Sequence, residues 1–169
     1  MALAASPLLT ERVVVQTASD TTQTFILFEL AGAHYGVSSQ AVHQLEMIEH
    51  ITPVPNAPAF VDGVVFSRGQ VIPALNLRIR FGFEKIAYDL RTRLIVVSIG
   101  DRLIGLIVDS AREFVTVPTE SLRPPSEALV GMSGAYLKSV ATLGERLILI
   151  LDLDEVLAGY ASNVARETV

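Results

Sequence analysis

A chain of 169 residues, 50% apolar and 18% charged, is long enough to bury a core and too hydrophobic to stay disordered. Its net charge of −5, with no basic cluster beyond the spaced pair in LRIRF (77 to 81), excludes nucleic acid as a partner, because that needs a concentrated positive field. No apolar run exceeds the six residues of LIGLIV (103 to 108), far short of the roughly 20 that span a bilayer, and the lack of cysteine excludes disulfides and thiolate metal sites.

The start, MALAASPLL, lacks the cationic segment and long apolar core of a secretory signal, so the chain reads as cytoplasmic with no membrane insertion. Residues 1 to 24 end in the polar QTASDTTQT and read as a flexible leader, with order beginning at Phe25. From there FILFEL, HYGV, VDGVVF, QVIPAL, RLIVVSI, RLIGLIV, EFVTV, YLKSVATL and RLILIL follow one another, separated by glycine-containing breaks. Short runs bounded by turn signals predict strands and an all-β fold.

Between the second and third runs, VSSQAVHQLEMI reads as a short helix capped by Ser38 or Ser39. ITPVPNAP (51 to 58) has three prolines in eight residues, so it is an extended connector or an edge. Pro73 carries the same message and predicts an open or irregular edge near Arg68. Asn76 and Asp152 stand where strands give way to short helices, expected at 76 to 82 and 153 to 160, and Asp152 with Glu155 has capping-box spacing.

The runs repeat. An offset of 69 lays FILFELAGAHYGV (25 to 37) over LIVVSIGDRLIGL (94 to 106), and an offset of 76 lays RGQVIPALNL (68 to 77) over GERLILILDL (144 to 153). Hairpins resemble one another by composition, but two separate hairpins matching in order favour duplication. The expectation is two small barrels of about five strands packed side by side, which solves the edge-strand problem. Their expected extents are about 25 to 88 and 89 to 158, with exchange of strands between them left open, and 159 to 169 form a tail.

Little in the sequence suggests chemistry. His34, His43 and His50 form no metal-ligand pattern, although His43 and Glu46 are three apart. Asp152 and Asp154 are better explained by helix capping than by acid/base work, and Asp109 reads as the polar end of a strand. GMSGA (131 to 135) lacks the spacing of a nucleophile elbow, and Gly100 and Gly105 belong to no phosphate-binding pattern. No catalytic, cofactor or metal site is expected. Arg68 is left with two readings: a solvated turn residue, or a guanidinium held at a groove by a turn that Gly69 permits.

Taken in order, FILFELAGAHYGV, ITPVPNAPAFVDGVVFSRGQVIPALNLRIRFG, TRLIVVSIGDRLIGLIVDSAREFVTVP, LRPP and LGERLILILDLDEVL resemble the CheW-like coupling proteins of bacterial chemosensory arrays, over about residues 24 to 158. The resemblance implies two SH3-like five-stranded barrels. It implies a non-enzymatic adaptor, recruited to membrane-associated arrays, that bridges the cytoplasmic tips of chemoreceptors to the regulatory domain of a CheA-like histidine kinase. Val42, Gln44, Leu45, Arg68 and Gly69 are the expected receptor contacts, in a groove between the barrels. Val54, Pro55, Asn56, Phe60 and Val61 are the expected kinase contacts.

This chain departs from the family pattern, which usually has Asn-Leu-Arg-Gly where Phe66-Ser67-Arg68-Gly69 stands, Glu at Gln44 and Asp at Asn76. With Gln44 neutral, Glu46 is expected to take over part of the pairing with Arg68, since the two acidic-or-amide positions face the same way if the segment is extended. Otherwise Arg68 is freed for a partner's carboxylate. These departures suggest a specialised paralogue of a non-flagellar, pilus-linked system. From a different class, a small ligand-binding barrel would need a deep polar pocket.

Overall fold

The computed structural model describes residues 21–127, 134–158 and 160. Among them the chain forms strands β1 (Thr22–Leu30), β2 (Ala33–Ser38), β3 (Val42–Met47), β4 (Val61–Ser67) and β5 (Gln70–Asn76), then helix α1 (Leu77–Arg80). Strands β6 (Arg93–Ile99), β7 (Arg102–Val108), β8 (Ser110–Pro118), β9 (Leu137–Leu143) and β10 (Arg146–Leu151) follow, and helix α2 is Leu153–Val156. No helix among the described residues is long and apolar enough to cross a membrane.

The strands make two five-stranded sheets, ordered β8-β1-β2-β10-β9 and β3-β6-β7-β5-β4. The expected division near residue 88 therefore takes an exchanged form. The hairpin β1–β2 pairs with β8 and β10, and β3, β4 and β5 pair with the later hairpin β6–β7. Each sheet is drawn closed by an isolated bridge beyond one edge: Thr52 to Val64 in one barrel, Arg123 to Val140 in the other.

The exchange creates two parallel junctions with matching register. Gly36 of β2 lies opposite Ile150 of β10, and Gly105 of β7 lies opposite Ala74 of β5. Both glycines allow close packing. A β carbon would stand 2.9 Å from Ile150 Cδ1 at Gly36 and 2.6 Å from Leu94 Cδ1 at Gly105.

Strand β1 explains why the apolar runs are continuous rather than alternating. Phe25 and Leu27 fill one barrel with Val115, Val117, Ile148 and Ile150, while Ile26, Phe28 and Leu30 point the other way. There they pack with Leu75, Ile95, Val97 and Leu106 into a core between the barrels, and Val65, Ile72, Leu94 and Val96 fill the second barrel. A strand buried on both faces reads as an unbroken apolar run.

Local expectations shift at several points. Residues 42–47, read as helical, are strand β3, because β6 offers a row of partners to a segment whose alternation also suits a strand. The helices are shorter than expected, but their caps hold: Asn76 Oδ1 accepts from Arg78 N at 3.0 Å and Asp152 Oδ1 from Glu155 N at 3.4 Å. Strand β1 begins at Thr22, inside the stretch read as leader, because Thr22–Thr24 pair with β8. Residues 1–20 and most of the expected tail lie outside the described residues.

Candidate functional site

The hairpin β4–β5 turns through Arg68 and Gly69, with φ of +50° and +80°, while Ser67 and Gln70 face each other across it. This is the backbone of a type I′ turn, whose twist suits a two-residue hairpin. Glycine accepts the second position freely; arginine at the first is conformationally costly. Arg68 is exposed and makes no hydrogen bond or ion pair among the described residues.

Apolar surface stands beside it. Phe66 and Val71 are cross-strand partners at the hairpin tip and are 76% and 64% exposed. Next to them a cleft of about 620 Å³ is lined by Glu46, Met47, His50, Phe66, Ser67 and Arg68. The edge is open there as Pro73 suggested: β5 joins β7 only from Ala74 onward, so Gln70–Pro73 pair with β4 alone.

Strand β3 sorts the expected receptor residues onto different faces. Gln44 and Glu46 lie opposite Val96 and Leu94, whose side chains fill the barrel, so both are turned toward its mouth. Glu46 Oε1 accepts from Gln44 Nε2 and from Ser67 Oγ, the latter at 2.5 Å, and Gln44 Nε2 also reaches Ser67 Oγ at 3.1 Å. Gln44 Oε1 is buried without a partner among the described residues.

Leu45 and Met47 project from the other face, 41% and 56% exposed, and Val42 packs against the core between the barrels. His43 is exposed on the face away from Glu46, so their spacing brings them no common ligand. The expected pairing of Glu46 with Arg68 is absent among the described residues. The serine at position 67 provides a hydroxyl donor that satisfies the carboxylate locally, and Arg68 is left outside.

The expected kinase residues also divide. Val54, Pro55 and Asn56 are exposed on the connector, with Asn56 at φ +59°. Phe60 and Val61 are half-buried against the core between the barrels. The connector lies tightly on β4: Thr52 N and Val64 O are 2.9 Å apart, Val64 N and Thr52 O 2.8 Å. Only glycine fits at 63, where φ is +150° and a β carbon would stand 2.2 Å from Thr52 O.

Two polar arrangements fix the frame. Arg80 places its guanidinium 4.8 Å from the centre of the Phe60 ring and 5.3 Å from that of Tyr136, and donates to Val156 O and Ala158 O at the end of α2. Arg78 donates from Nε and Nη2 to Asp109, which also accepts from the Ala31 N–H at 2.9 Å. Burial pushes the Asp109 carboxyl up, but the bonds from Arg78 and Ala31 and the guanidinium charge outweigh it and hold it below the usual carboxylate range. Asp109 is thus a structural anchor rather than a bare strand end. Its sequence signal was weak, since nothing local pairs it with Arg78.

A family model described as the CheW-like domain matches residues 24–160. The chain is 31% identical over 148 residues to a chemotaxis protein CheW of Klebsiella aerogenes, covering 85% of this chain and 89% of that one. It is 28% identical over 145 residues to the chemotaxis protein CheW of Bacillus subtilis, covering 86% and 93%. Among solved structures, the scaffolding protein TtCheW of Thermoanaerobacter tengcongensis is similar at a TM-score of 0.75 and 29% identity, over 80% of this chain and 92% of that one. The two exchanged barrels, the Arg-Gly hairpin and these matches agree, and the chain belongs to the CheW-like domain family.

Proposed function

We propose that the protein is a non-enzymatic adaptor of chemotaxis-type signalling, coupling the signalling tips of chemoreceptors to the regulatory domain of a CheA-like histidine kinase. It works in the cytoplasm and is recruited to receptor arrays. The relatives named above are chemotaxis and scaffolding proteins, which supports the adaptor role.

The observation that carries the reading at the level of residues is Arg68. A residue held in the left-handed region, its side chain unpaired among the described residues and flanked by exposed Phe66 and Val71, costs conformational energy with no return among those residues. A contact surface accounts for that. Arg68 meets a receptor carboxylate, Leu45 adds apolar contact, Gly69 sets the turn, and Gln44 and Val42 support the strand from behind. Val54, Pro55 and Asn56 meet the kinase, with Phe60 and Val61 holding the connector in place.

Co-sedimentation with receptor signalling fragments and the kinase tests this. The wild type is expected to enter the ternary assembly, and folded Arg68→Glu to be lost from it. Equal assembly by both would return Arg68 to the status of a turn residue, and no assembly by the wild type would overturn the adaptor role.

A further inference from the structure

Strand β4 pairs with β5 with one residue to spare. Val61 lies opposite Leu75 and Gly63 opposite Ala74, so Asp62 is the extra residue of a β-bulge. The duplicate carries the same bulge. The offset of 76 takes Asp62 to Lys138, and Lys138 stands between Leu137, opposite Leu151, and Ser139, opposite Ile150. Asn76 N donates to Phe60 O at 2.7 Å beside the first bulge, as Asp152 N donates to Tyr136 O at 2.8 Å beside the second. The bulge belongs to the fold and forms around an aspartate or a lysine.

The buried carboxylate is particular to the first barrel. The Asp62 side chain is only 4% exposed, and its donors come from two other segments. After α1 the chain runs through 82–92 as a strap without helix or strand. From the strap, Lys85 Nζ reaches Asp62 Oδ1 at 3.3 Å and the Tyr88 hydroxyl donates to Asp62 Oδ2. From the end of β5, Asn76 Nδ2 donates to the same Oδ2 at 3.1 Å, while Asn76 Oδ1 caps α1. An aspartate at 76 would cap as well, but it would set a second carboxylate against the first. The strap is tied down in turn by Arg78, which donates from Nη1 to the Glu84 carbonyl at 3.1 Å.

This bulge fastens one end of the proline-rich connector. The other end is held where Thr52 bonds to Val64, and Val54, Pro55 and Asn56 stand exposed between the two fixings. Lys85 is 59% exposed on a flexible stem, so it supplies charge but little direction. Tyr88 supplies the direction, because its ring has few rotamers and its hydroxyl ends on the carboxylate.

We propose that the strap is a latch that sets the connector for its partner, with Tyr88, Lys85 and Asn76 acting through Asp62 as positioning residues for the kinase contact at Val54, Pro55 and Asn56. This rests on the adaptor reading. Removing the Tyr88 hydroxyl leaves Asp62 with Lys85 and Asn76, so the barrel keeps its fold while the bulge and the connector behind it lose their fixed direction.

The test is titration calorimetry of the full chain against the kinase regulatory domain and, in parallel, against a receptor signalling fragment. Tyr88→Phe is expected to weaken kinase binding about three- to tenfold and to leave receptor binding unchanged. Asn76→Asp, which keeps the cap but opposes Asp62, should show the same split, and Lys85→Arg should bind both as the wild type does. Kinase binding by Tyr88→Phe and Asn76→Asp equal to the wild type would overturn the latch and leave the adaptor intact. Parallel weakening toward both ligands would overturn it as well, by reducing the strap to general support of the fold. No kinase binding by the wild type would overturn the adaptor reading and the latch together.

Discussion

Arg78 and Asp109 form a two-pronged ion pair, Nε to Oδ1 at 2.8 Å and Nη2 to Oδ2 at 2.7 Å, that fastens α1 to the corner between β7 and β8. The two side chains are 16% and 22% exposed, and the Ala31 N–H occupies a third bond, so removing either partner leaves a largely desolvated charge.

Asp109→Ala is therefore expected to lower stability by about 2–4 kcal/mol in urea denaturation at neutral pH. The carboxyl is held below its ordinary value of 3.8 in the folded state. Its contribution is then complete above that value and is lost as the pH falls through the lower, folded-state value. Below pH 4 the wild type should lose stability more steeply than Asp109→Asn. Parallel slopes would show that the pair is not coupled to folding.

At Gly63 a β carbon has no room beside the Thr52 carbonyl, and the turn glycine at 69 meets nothing within 4 Å. Gly63→Ala should cost more than about 3 kcal/mol, as core overpacking with backbone strain does, and loosen the connector. Gly69→Ala should cost only the conformational penalty of about 1–2 kcal/mol. Amide exchange at Val64, whose N–H bonds to Thr52, distinguishes them: fast in folded Gly63→Ala, unchanged in Gly69→Ala.

Arg68→Asn places a residue that tolerates the left-handed region at the first turn position, which favours a type I′ hairpin. Thermal denaturation should show a variant as stable as the wild type or up to about 1 kcal/mol more so. Its receptor binding should fall. A gain in stability with unchanged binding would mean that the arginine is not a contact.

Glu46 is bonded to Ser67, and Arg68 stands apart from it among the described residues. A double-mutant cycle of Glu46→Ala with Ser67→Ala should yield a coupling of roughly 0.5–2 kcal/mol in stability. The same cycle with Arg68→Ala should give no coupling beyond about 0.3–0.5 kcal/mol. The reverse ranking would restore the ion pair expected from the sequence.

Much of the architecture was legible because duplication printed the same strand-turn-strand pattern twice and because Asn76 and Asp152 cap their helices with local bonds. Strand β3 was not, since Val42, Leu45 and Ile48 fit a helical stripe as readily as an alternating strand. The faces of Gln44 and Leu45 follow from that strand, so their separation was hidden with it. Which hairpin joins which barrel depends on contacts such as Gly36 with Ile150, far apart in the chain and without local signature. The Arg-Gly turn could be read from two adjacent residues; the hydroxyl of Ser67 satisfying Glu46 could not.

The crossing of hairpins between barrels makes the two halves interlocked rather than adjacent. Neither half contains the strands to finish its own barrel: β1–β2 completes the sheet of the later strands, and β6–β7 that of the earlier ones. A lone copy of hairpin, strand and hairpin would have to find another molecule to trade with, as a domain-swapped dimer does. Tethering both copies in one chain turns that encounter into an intramolecular one, independent of concentration. The unit is consequently indivisible, and a partner pulling on either barrel pulls on strands rooted in both.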